Sequence, residues 1–125
     1  MNTRPYFSMT QNSSKHILVI APASRKRENL LAMFALLNPD TSIQIADDWR
    51  TARKYLVFSS PDVFLVDYRN PDDELNQEIS SLLETHPCQK IVLLKNRICQ
   101  RNPFFSPAIQ EVIYDDISTN VLTLL

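Results

Sequence analysis

Four apolar runs of strand length recur along the chain: "HILVIA" (16–21), "SIQIA" (42–46), "DVFLVD" (62–67) and "KIVLLK" (90–95). A weaker fifth, "EVIY", follows at 111–114. Their shortness and β-branched content suit strands. In the third run no polar residue interrupts Val63 to Val66, as expected of a strand covered on both faces. Helix-period segments lie between the runs. Leu30, Phe34 and Leu37 form one stripe, with Ser24 placed to cap; Trp49, Ala52 and Leu56 form another, with Asp47 or Asp48 as cap. A third stripe comprises Leu75, Ile79, Leu82 and Leu83, and Pro87 stops that helix. In the last stretch, "DDISTNVLTLL", Ile117, Val121 and Leu124 share a helical face. Such stripes read as core. Strands alternating with helices predict an α/β fold, a parallel sheet with right-handed crossovers and helices on both faces. Only residues 96–110 break the rhythm. Pro103 and Pro107 there leave a fourth helix short or displaced. Phe104 and Phe105 are adjacent, so a regular element cannot turn both toward one core, and one is expected at the surface as a partner contact.

At 125 residues the chain is about one domain. Residues 1–14 read as a disordered leader and 15–125 as the domain. No glycine occurs anywhere. Phosphate-cradling loops and dinucleotide fingerprints need glycine for close backbone approach, so nucleotide binding by those routes is excluded. Thirteen basic residues against fourteen acidic ones give no global field favouring nucleic acid or a membrane, although the acids concentrate in the second half. No apolar stretch is long enough to span a bilayer, and the N-terminus lacks a signal-peptide core, so a cytoplasmic location is expected. Cys88 and Cys99 flank the fourth strand, too far apart for a disulfide at a rise of about 3.3 Å per residue. His16 and His86 show no ligand spacing, and neither metal nor cofactor is expected.

In open α/β sheets, ligand chemistry gathers at the carboxyl ends of the strands. Asp67 stands at such an end, in "PDVFLVDYRNP" (61–71). The stretch resembles the third strand of response-regulator receiver domains: Pro61, Asp62, the phospho-accepting Asp67, then Pro71, although Asn70 stands where that family usually has an apolar residue. Near the end, "YDDISTNVL" is similar to the corresponding part of receivers of LuxR-type transcription regulators. The resemblance covers about residues 15–125 and implies a flavodoxin-like, doubly wound five-stranded sheet in the order 2-1-3-4-5.

The reactive set implied by that resemblance is mostly missing. Ala21 and Pro22 occupy the place of the two acids that hold Mg²⁺. Lys95 replaces the Ser or Thr ending the fourth strand, Asp115 replaces the Lys ending the fifth, and Val112 replaces the aromatic three positions earlier. Transfer of a phosphoryl group to a carboxylate needs its oxygens neutralised by cations, and neither Ala nor Pro offers a side-chain oxygen ligand. The expectation is a pseudo-receiver: not an enzyme, with Asp67 a vestigial acceptor held by a row of ion pairs running Asp67, Lys95, Asp115. The run Arg25, Lys26, Arg27 opens the first helix as solvated surface or as a contact for an anion or acidic partner.

The expected function is regulatory, by contact with a protein partner or a second copy in a homodimer, in transcriptional control. The surface for it is the face of the fourth helix, fifth strand and fifth helix, with Phe104, Phe105, Leu124 and Leu125. Nothing in these residues reads DNA, so nucleic acid would be met only through a separate output domain. Two alternatives stand beside this one: a working two-component receiver phosphorylated on Asp67, and a small flavodoxin-like ligand-binding domain or enzyme unrelated to signalling.

Overall fold

All neighbouring strands of the sheet run parallel, in the order β2-β1-β3-β4-β5. The computed structural model describes residues 15–37, 39–87, 89–96 and 103–113. The elements are β1 (Lys15–Ile20), α1 (Arg25–Leu37), β2 (Thr41–Ala46), α2 (Trp49–Leu56), β3 (Val63–Asp67), α3 (Asp73–Thr85), β4 (Lys90–Lys95) and β5 (Ile109–Ile113). The expected leader, both cysteines and the closing helix with Asp115, Leu124 and Leu125 lie outside the described residues.

The register explains why the third apolar run contains no polar residue. Central β3 pairs Leu65 with Val19 of β1 on one side and with Val92 of β4 on the other. Successive side chains of a strand point to opposite faces. Val63 and Leu65 therefore join the cluster under α1 with Ile17, Val19, Leu30, Phe34 and Val112. Phe64 and Val66 join the opposite cluster with Leu18, Ala52, Tyr68, Ile79 and Leu82 from β1, α2, the β3 end and α3. Each fully buried aliphatic or aromatic side chain contributes about 1.5–3 kcal/mol, so this strand alone supplies a large share of the core.

Side-chain acceptors start all three helices among the described residues. Ser24 Oγ accepts from the Arg27 amide at 3.0 Å. Asp48 Oδ1 accepts from the Thr51 amide, and Asp72 Oδ1 from that of Leu75, each at 2.8 Å. These bonds satisfy amides that the first helical turn leaves without a carbonyl. Of the two aspartates offered as caps for α2, Asp48 does the capping, and Asp47 is left free for another role. The helix ends at Leu56, so Val57 and Phe58 fall in a turn, where they are 73% and 90% exposed. Between β4 and β5, Phe104 packs on the cluster beneath α2 and α3, while Phe105 is 98% exposed. One phenylalanine in and one out is the division that their adjacency predicts.

Candidate functional site

Where β1 and β3 end, the chain turns away into α1 and α3 and leaves a cleft of about 260 Å³. Ala21 and Pro22 line it from β1, Asp67 and Asn70 from β3, Asp47 and Asp48 from the start of α2, and Asp72 and Glu74 from the start of α3. Parallel topology brings these residues together, because every strand delivers its last residue to the same edge.

Asp67 ends β3 with its side chain 12% exposed. A carboxylate so placed needs partners, and Arg69, two residues on, supplies all that are seen. Its backbone amide donates to Oδ1 at 3.1 Å, its Nε to Oδ1 at 3.0 Å and its Nη2 to Oδ2 at 2.9 Å. This is a bidentate guanidinium fork on one carboxylate, with a backbone donor added. Asn96 Nδ2 in turn donates to the Arg69 carbonyl at 3.4 Å, which ties the loop to the end of β4. Tyr68, between the pair, is buried, and its hydroxyl donates to Asn76 Oδ1 of α3 at 2.6 Å.

The expected row of ion pairs is therefore corrected. The cation on Asp67 is Arg69, and Lys95 Nζ donates to Glu111 of β5 instead. Lys95 and Glu111 are diagonal neighbours on adjacent strands, Glu111 pairing with Leu93 and Lys95 with Ile113, whereas Asp67 already has the planar fork of Arg69. Asp115, third member of the expected row, lies outside the described residues.

The basic run at the start of α1 also divides. Arg25 and Lys26 are exposed, but Arg27 is 9% exposed and turns back beneath the end of β1. Its Nη1 donates to the Ala21 carbonyl at 2.9 Å and to Asp47, and its Nε donates to Glu28 at 3.3 Å. The hydrogen bond to Asp47 holds the Arg27 guanidinium even more firmly protonated than usual, outweighing the opposing effect of burial. Arg27 is thus not part of an open anion site. At the start of α2 the Asp48 carboxyl is held below its ordinary range, first by the amide of Thr51 that it caps.

These residues do not fit a hard divalent cation. Ala21 and Pro22 provide no side-chain oxygen, the Ala21 carbonyl accepts from Arg27, and both Asp67 oxygens are taken by Arg69. Among the described residues no group of three His, Cys, Asp or Glu is placed to hold a metal. His16 donates or accepts through Nε2 with Gln44 at 3.0 Å, and His86 packs edge-on against Phe64. Val112, at the position of the family's aromatic, is buried in the cluster under α1. Of the functional residues, the sequence reading missed Arg69 and Asp47. Arg69 had a legible signal, a cation two residues from a strand-end acid. Asp47 had none, because its partner lies twenty positions away.

No family model matches the sequence, and no curated protein does. Solved structures do match, and the neighbours are response-regulator receiver domains. A two-component transcriptional regulator from Clostridium phytofermentans is 19% identical, with a TM-score of 0.66, and the match covers 88% of this chain and 87% of that one. The response regulator TrrA from Thermotoga maritima, solved in complex with Mg²⁺ and beryllofluoride, is 22% identical at a TM-score of 0.61, over 89% of this chain and 99% of its own. In its complex with the histidine kinase ThkA, the match is 24% identical over 89% of this chain and 98% of that one, again at 0.61.

Proposed function

We propose that this chain is a phosphorylation-independent, receiver-like regulatory domain of the cytoplasm, not an enzyme, acting by protein–protein contact. The observation that carries the reading is the fork of Arg69 on Asp67. In-line attack on a phosphoryl donor needs a free carboxylate oxygen and a cation poised on the incoming group. Here both oxygens are occupied, and the place of the metal-binding acids holds Ala21 and Pro22. The receiver fold of the neighbours supports descent from a phospho-accepting ancestor, and the altered site supports loss of that chemistry. The neighbouring transcriptional regulator supports a role in transcription through a separate output domain.

The contact surface in this reading includes the loop of Phe104 and Phe105, beside a groove of about 320 Å³ between that loop and α3. A phenylalanine 98% exposed is ready apolar contact area. Incubation with acetyl phosphate and Mg²⁺, followed by intact mass measurement, tests the central claim. The expected result is no adduct, and beryllofluoride is expected to leave the NMR signals around Asp67 in place. A Mg²⁺-dependent adduct abolished by Asp67→Asn would overturn the reading in favour of a working receiver.

A further inference from the structure

We propose that the outward face of α2 and α3 is a two-fold interface between copies of this chain. Arg50, Arg53, Lys54 and Val57 recur at i, i+3, i+4 and i+7, so they share one stripe of α2, and all four are exposed. Phe58 extends the stripe at 90% exposure, beside Val57 at 73%. The cationic stripe thus ends in two adjacent large apolar side chains, both exposed. Next to it, α3 is acidic in its first turn with Asp73 and Glu74, and Glu78 follows one turn later.

Between the two helices runs an open groove of about 550 Å³, with Arg50 and Arg53 on one wall beside the helix-capping Asp48, and Glu74 and Glu78 on the other. Arg53 and Glu78 close across it as an ion pair. Arg50 and Lys54 make no ion pair with any described residue.

Opposite charge on the two walls of one groove selects the occupant. A two-fold axis through the groove sets the basic wall of one protomer on the acidic wall of the other, and each contact occurs twice. Arg50 and Lys54 then gain carboxylate partners from α3 of the second copy, and Val57 and Phe58 leave water. An anionic bilayer fits less well: the acids of α3 face the same solvent and would be repelled, and a groove is the wrong shape for a flat surface. Phe104 lies on the other flank of α3, so this face is distinct from the one in the functional proposal and does not depend on it.

Sedimentation velocity on the full chain, over a range of concentrations at low and high salt, tests the interface. A dimer that weakens with salt is expected. Arg50→Glu with Lys54→Glu should weaken it at least about tenfold, since each reversal acts twice across the axis. Adding Glu74→Lys, on the opposite wall of the groove, should restore part of the dimer. Phe58→Ser should weaken it without changing the salt dependence. All these side chains are exposed, and unchanged circular dichroism would show that the variants fold. A wild type monomeric throughout, or a dimer indifferent to the Arg50 and Lys54 reversals, would overturn the proposal. So would a dimer lost only on Phe104→Ser and Phe105→Ser. A monomer that pellets with phosphatidylglycerol vesicles would instead assign the face to lipid.

Discussion

The ends of β1 and β3 lie side by side in the sheet, yet they have settled their electrostatics in opposite ways. β3 ends in an acid, and its counter-ion comes from two residues away: Arg69 folds back on Asp67 within one turn of chain. β1 runs out into Ala21 and Pro22, without an acid. The backbone carbonyl of Ala21 is capped by Arg27, which is itself anchored on Asp47 from the far end of β2. One arrangement is local, and the other is tertiary. They also differ in what they protect. The Asp67 side chain is 12% exposed and the Asp47 side chain 67%. Water can replace a partner lost by Asp47 but not one lost by Asp67. The lesson is that the cost of breaking an ion pair is set by the solvation of the partner left behind.

The difference can be broken by substitution. Arg69→Met strands a nearly buried carboxylate and should cost about 1–3 kcal/mol in urea unfolding. Asp67→Asn with Arg69→Met should recover most of that loss, because the stranded charge disappears with its partner. If the single variant is as stable as wild type, the clamp is not holding Asp67. Arg69→Lys keeps the charge but loses the planar fork, and should fall between the two. Arg27→Met should cost less, about 1 kcal/mol, since the exposed Asp47 and Glu28 rehydrate and only the buried Ala21 carbonyl goes without a replacement for its Arg27 donor. An Arg27 penalty larger than that of Arg69 would reverse the comparison.

The same local–tertiary divide governs what could be read from the sequence. The fold was legible almost residue by residue, because the periodicities of β3 and of the three helices are local properties of the chain. The cap at Ser24 and the exposure of one of the two adjacent phenylalanines followed from the same kind of reasoning; which of the two turns outward did not. The resemblance directed attention to Ala21 and Pro22, and both line the cleft at the end of β1. The ion-pair row was misread: strand order placed Lys95 beside Asp67, but strand order does not fix where a long flexible side chain points. Cross-strand Glu111 and neighbouring Arg69 took the partners. Arg27 was misread because a run of three cations looks uniform in sequence, while helical geometry turns its third member inward.

The smallest expected effect concerns pH, and it separates a cap from a clamp. Asp48 titrates below its ordinary value because its ionised form accepts from the Thr51 amide. A carboxyl whose folded pKa is depressed contributes stability that is fully present above its unfolded value, near 3.8, and is lost as pH falls through the lower folded value. Arg27 has the opposite sign. Its raised pKa gives a contribution lost only in strongly alkaline solution, so it is constant across acid and neutral pH. Acid unfolding of wild type against Asp48→Asn should therefore show a difference at neutral pH that shrinks as the solution is acidified below about pH 4. Asn retains a side-chain oxygen to accept from Thr51, so the variant isolates charge from hydrogen bonding. Wild type against Arg27→Met should show a difference that does not change over the same acid range. A wild-type advantage over Asp48→Asn that persisted unchanged to pH 2 would mean that the cap acts through geometry alone. An Arg27 difference that changed over that range would overturn this assignment of sign.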